Sequence, residues 1–344
     1  MAIPTQLAIR KMGEEIGTSG FTRDDFAQFA DRLAEETEIV RRLFSSNSFS
    51  REEHTLGFEI ECWILDHNYF PASINQQLLE TLAHPLIVPE LSRFNVELNC
   101  EPLVLLGDVF GRAEKALSQL WTKCNDVAHT LDANMVLIGT LPTIRDEDLS
   151  LANMSPLNRF YALNREVMRQ RSGHAVCVDI QGSDHLISTH RDVMLEAATT
   201  SFQIHLKAPM DLANRYYNAS VAISGPVLAA CGNAPILFGK CLWEETRIPL
   251  FEQAVAVSGA SKATRRVSMG SGYLIRSCFF PKSNMPVRAW PAAEIALAAD
   301  ADAISRAEAP AHPSFLSSSA ARYLATARFC RCFSVQSSSS GALP

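Results

Sequence analysis

The sequence predicts an α+β protein whose sheet has one apolar and one acidic face. Three observations predict it. Segments 55–66, 92–102 and 200–207 alternate apolar and polar residues at the two-residue period of a strand. Segments 22–46 and 109–133 carry apolar residues at helical spacing instead. Hydrophobic residues make up 47% and charged residues 20% of the 344, the balance of a chain that buries a core. That length holds one large domain or two ordinary ones.

The elements follow in order. Residues 1–50 form an N-terminal segment with one helix, 22–46. Thr22 and Asp25 have the spacing of a capping box, and Phe26, Phe29, Ala30, Leu33, Ile39, Val40 and Leu43 follow the helical period. In strand 55–66, Leu56, Phe58, Ile60, Cys62 and Ile64 fall on one side, and Gly57, Glu59, Glu61, Trp63 and Leu65 on the other. Residues 73–83 make a short helix. In 92–102, Phe94, Val96, Leu98 and Cys100 oppose Asn95, Glu97, Asn99 and Glu101, until Pro102 ends the strand. A helix over 109–133 and a short buried strand in 134–140 come next. The polar stretch 141–156, with a proline near each end, reads as a loop, a mobile one being an option.

Residues 156–171 form a helix with a basic side, and 175–190 give two strand-like pieces around Gly182 and Ser183. In 200–207, Phe202, Ile204 and Leu206 oppose Ser201, Gln203, His205 and Lys207. Helices across 210–231 lead on to a glycine-rich loop, 268–273. After about residue 280 the character changes: Ala, Ser and Pro make up roughly half of 281–344, far above ordinary usage. This tail reads as disordered, or as the product of a frame-shifted coding end.

Composition excludes several classes. A net charge of −6 provides no overall attraction for nucleic acid or an anionic membrane. The nine cysteines are odd in number and form no CxxC pair, which favours buried reduced thiols over a disulfide framework or a zinc knuckle. The N-terminus has no signal-peptide pattern, and no apolar run reaches membrane-spanning length. The expectation is a cytoplasmic protein with small-molecule substrates, no nucleic-acid or membrane partner, and an oligomeric state the sequence leaves open.

The chemistry lies on the polar faces of the strands. Glu59 and Glu61 project side by side, and two such anions raise the cost of ionising each other. A solvated edge tolerates that, and so does a site where a cation takes up the charge. Aligned in one sheet, the three strands would gather Glu59, Glu61, Glu97, Glu101 and His205 on one surface. Magnesium and manganese prefer oxygen ligands with an occasional imidazole. The competing reading is the ordinary wet face of an antiparallel sheet, and for His205 a hydrogen-bonded structural histidine. Arg247, Lys262, Arg265 and Arg266 match phosphate or carboxylate geometry, although such a run is more often a solvated face.

Residues 57–61, GFEIE, resemble the G-x-E-x-E strand of the glutamate–cysteine ligases and related bacterial carboxylate–amine ligases. SRFNVELNCEP, TSFQIHLK and GNAPILFGKCLWEETRIPLFEQ look like further blocks of the same family, in the same order, within residues 51–280. The resemblance implies a glutamine-synthetase-like fold, a curved antiparallel sheet forming a funnel that holds ATP with Mg2+ or Mn2+. It implies that ATP phosphorylates the γ-carboxyl of glutamate and that the amine of cysteine, or another amine, displaces the phosphate, as in glutathione biosynthesis. On this likeness Glu59 and Glu61 are catalytic and hold metal, and Glu97 and Glu101 hold metal or the substrate amine. His205 binds metal or an ATP phosphate, Arg265 and Arg266 bind ATP, and Arg247 takes a substrate carboxylate or phosphate. The family's later strands, with a further acidic ligand and an arginine, have no counterpart after residue 280. The alternatives are therefore a catalytically impaired protein that binds nucleotide or metal without turnover, and a metal-dependent hydrolase using the same carboxylates.

Overall fold

The computed structural model describes residues 15–49 and 54–256. Arg265, Arg266, the glycine-rich loop 268–273 and the tail 281–344 lie outside the described residues.

Helix α1 (Arg23–Ser45) begins at the expected capping box, with the Asp25 N–H donating to Thr22 Oγ1 and the Thr22 N–H donating to the Asp25 carboxylate. None of its residues is buried, and Phe26, Phe29 and Ile39 stay exposed. Its amphipathic pattern therefore formed a helix without bringing that helix into the core.

The sheet is built around β1 (Thr55–Leu65). After helix α2 (Asn75–Leu82) come β2 (Ile87–Pro89), β3 (Asn95–Asn99) and β4 (Leu103–Val104). Helix α3 (Val109–Thr130) leads to β5 (Asn134–Val136), and helix α4 (Asn158–Gln170) to the hairpin β6 (Val176–Gln181) and β7 (His185–His190). Strand β8 (Phe202–Lys207), helix α5 (Ala213–Cys231), the two-residue strands β9 (Ile236–Leu237) and β10 (Lys240–Cys241), and helix α6 (Arg247–Ala254) complete the described chain. Along one edge β1 pairs with β3 and β4, and along the other with β8 and β5; β2 pairs with β3, and every pairing in this sheet is antiparallel.

The alternation in β1 has the physical consequence expected of it. Leu56, Phe58, Ile60, Cys62 and Ile64 enter one core with Val96 and Leu98 of β3. Helix α3 closes that core with Val109, Ala113, Leu117, Leu120, Cys124 and Ala128, one stripe at helical spacing. On the opposite face the strand changes character along its length. Trp63 and Leu65 enter a second core, where Trp63 stacks on Phe94 at 5.6 Å, while Glu59 and Glu61 leave the first half polar.

The stretch 141–156 is a loop, as expected, but a packed one. Leu141, Ile144, Leu149 and Met154 are buried in the second core against the β6–β7 hairpin, linked by short 3-10 turns. Their spacing fits neither helix nor strand, so periodicity gave no sign of their burial. Cys62, Cys100 and Cys124 are buried as expected, whereas Cys177 and Cys241 are exposed. No helix among the described residues is long and apolar enough to cross a membrane.

Candidate functional site

Strand register decides which polar side chains meet. Glu61 is the Cα partner of Glu97, and Glu59 that of Asn99. Across the other edge Glu59 faces Gln203 and Gly57 faces His205. The polar faces of β1, β3 and β8 thus coincide, and Glu59, Glu61, Glu97 and His205 gather there as the alternation predicted. This face is not an ordinary wet one: Glu59 is 6% exposed and Glu97 7%.

Each group is held by named partners. His205 Nε2 lies 3.1 Å from Glu59 Oε1. That contact raises the affinity of the imidazole for its proton, against the effect of burial. Glu61 accepts from the Ser201 N–H at 2.7 Å, from Ser201 Oγ at 2.9 Å and from Gln203 Nε2 at 3.3 Å. Burial nevertheless pushes the Glu61 carboxyl up to about 7; the Ser201 bonds pull against this and the Glu97 charge adds to it. Burial also raises Glu97, with a further push from the Glu59 charge, while Asn99 Nδ2 at 2.8 Å opposes it.

A fourth carboxyl, Glu90, joins from just beyond β2. Burial and the charges of Glu61 and Glu97 push it well above the carboxylate range. Oxygens of Glu61, Glu90 and Glu97 all lie within 4.8 Å of one another. Sequence reading missed Glu90 because it lies in no alternating strand; its only signal is an acid between Pro89 and Leu91, just ahead of the acidic strand.

Two expected members stand apart. Glu101 is exposed and outside the cluster. It lies four residues, about 13 Å of extended chain, beyond Glu97, and a bulge intervenes: the three steps from Glu59 to Leu56 along β1 are matched by four from Asn99 to Leu103 on the other side. The extra residue also interrupts the alternation that would have kept Glu101 on the face of Glu97. Arg247 does not offer its fork to the open face. Its Nε and Nη2 hold Glu245 at 2.8 and 2.6 Å, and its Nη1 donates to the Thr200 carbonyl at 2.9 Å.

The donor set suits a hard divalent cation: three carboxyls, no sulfur, and desolvation that leaves their combined charge to be neutralised by protons or by a cation. No protein-family model matches the chain, and no curated protein matches it.

Proposed function

We propose that the chain is an ATP-dependent carboxylate–amine ligase of the glutamate–cysteine ligase type, with the β1–β3–β8 sheet as one wall of a glutamine-synthetase-like funnel. The observation that carries this reading is the convergence of Glu61, Glu90 and Glu97 on the half-buried polar face of the central sheet. It is supported by the GFEIE strand, whose two glutamates lie on that face with His205 at its edge.

In this reading Glu61, Glu90 and Glu97 hold Mg2+ or Mn2+, and Glu59, tied to His205, borders the site. The cation supplies charge neutralisation for ATP phosphates, the main requirement of phosphoryl transfer. Ser201 and Gln203 aim Glu61 by donating to its oxygens. His205, with its raised proton affinity, contributes positive charge toward phosphate. A carboxylate is a poor electrophile, and phosphorylation provides the leaving group that lets an amine attack.

A second reading, nucleotide or metal binding without turnover, is favoured by one observation. Arg247, the arginine expected to take a substrate carboxylate or phosphate, already forks Glu245. One assay separates the two. Full-length protein is incubated with ATP, Mg2+, glutamate and cysteine, and ADP is followed. ADP release that requires both amino acids supports the ligase; retained nucleotide binding without ADP release supports the second reading. Undiminished activity in a Glu61→Gln variant would remove the metal assignment.

A further inference from the structure

Arg247 and Glu61 do not touch, but they bond to opposite ends of one peptide group. The Thr200 carbonyl accepts from Arg247 Nη1 at 2.9 Å. The N–H of the same peptide, that of Ser201, donates to Glu61 Oε2 at 2.7 Å. A peptide group is planar and stiff, with its C=O and N–H directed oppositely, so a group that fixes the carbonyl also aims the N–H. A charge-assisted bond at the carbonyl further polarises the amide and strengthens its N–H as a donor.

The arginine is itself fixed. Glu245 is buried and grips the guanidinium through two bonds. Gly139 leaves the space it needs: a Cβ there would lie 2.8 Å from Arg247 Nε. Thr200 is anchored separately, its N–H donating to the Gly139 carbonyl at 3.0 Å and its Oγ1 to that of Ile138 at 2.5 Å.

We infer that the Glu245–Arg247 pair is a positioning device that aims the Ser201 N–H at Glu61, and so sets how tightly the carboxyl cluster binds a divalent cation. The inference rests on the metal reading of that cluster and adds two residues that do not touch the cation.

The test uses the full chain, Mn2+ as the probe and two readouts. In Arg247→Ala, Mn2+ affinity is expected to fall about 10- to 100-fold, the usual cost of losing a group that orients a metal ligand. In metal-free protein the Ser201 amide should exchange its hydrogen at least about 10-fold faster, while the Leu98 amide in β3 keeps its protection. Arg247→Lys, which keeps a cation but not the fork, should recover part of both. If Arg247→Ala unfolds, so that Leu98 also loses protection, Glu245→Gln is measured in its place with the same expectations. Unchanged Mn2+ affinity or unchanged Ser201 exchange, in a variant that keeps Leu98 protected, overturns the positioning role. Where Glu61→Gln still abolishes Mn2+ binding, that result leaves the metal reading standing. A wild-type protein that binds no Mn2+ overturns both.

Discussion

Glu61 and Glu97 are Cα partners across an antiparallel ladder, two carboxyls placed directly opposite each other on a half-buried face. Like charges so placed destabilise a sheet by up to about 1 kcal/mol. A site that keeps such a pair gives up stability for function, a trade-off found at binding centres.

That trade-off predicts the behaviour of Glu97→Gln. The amide keeps the shape and loses the charge, so the metal-free protein should gain up to about 1 kcal/mol at pH 8. Mn2+ affinity should fall at least about 10-fold. Denaturant titration and Mn2+ titration check the two halves. A destabilised variant with unchanged Mn2+ binding would contradict both.

The raised carboxyls predict the pH dependence. Glu61 and Glu196 both sit at about 7, raised by burial, and Glu90 and Glu97 are raised as well. A group whose folded value exceeds its unfolded value contributes stability in full below the unfolded value, near 4.5 for these acids, and loses it as pH rises through the folded value. His205, also raised, acts in the same direction. Metal-free stability should therefore fall between pH 5.5 and 8, by on the order of 2 kcal/mol for a single group at Glu61's value. Mn2+ should reverse the trend, because binding displaces protons and tightens as pH rises. Denaturation midpoints with and without Mn2+ at the two pH values test this; metal-free stability that rises with pH would count against the assignment.

Ile144 tests the packing of 141–156. It is 1% exposed in the second core, so Ile144→Ala should cost about 2–5 kcal/mol. A value under about half a kcal/mol would return the segment to the status of a surface loop.

Glu101 tests the limit of the cluster. Glu101→Gln should leave Mn2+ affinity within about twofold of wild type, since an exposed carboxyl outside the cluster makes at most a screened contribution. A loss comparable to that of Glu61→Gln would restore Glu101 as a ligand.

How far the site could be read depended on the range of the interactions involved. The capping box at Thr22 and Asp25 was readable because it closes within three residues. The α3 stripe from Val109 to Ala128 was readable because helical spacing is a local regularity. Glu90 was not, because its place beside Glu61 comes from the β2–β3 pairing and from a chain turn without periodicity. In the sequence Arg247 reads as a cation fit for a substrate carboxylate or phosphate. The fold instead brings it Glu245 and the Thr200 carbonyl.

That Glu59 and Glu61 share a face of β1 follows from the chain alone, since Cβ directions alternate along any strand. It follows in the same way that Leu56, Phe58 and Ile60 face a core. Long-range pairing alone brings Glu61 to Glu97 and Glu90 into the cluster, and puts a one-residue bulge between Asn99 and Leu103. The physical reason is register: pairing joins strands far apart in the chain, and a shift of one residue sends a side chain to the other face.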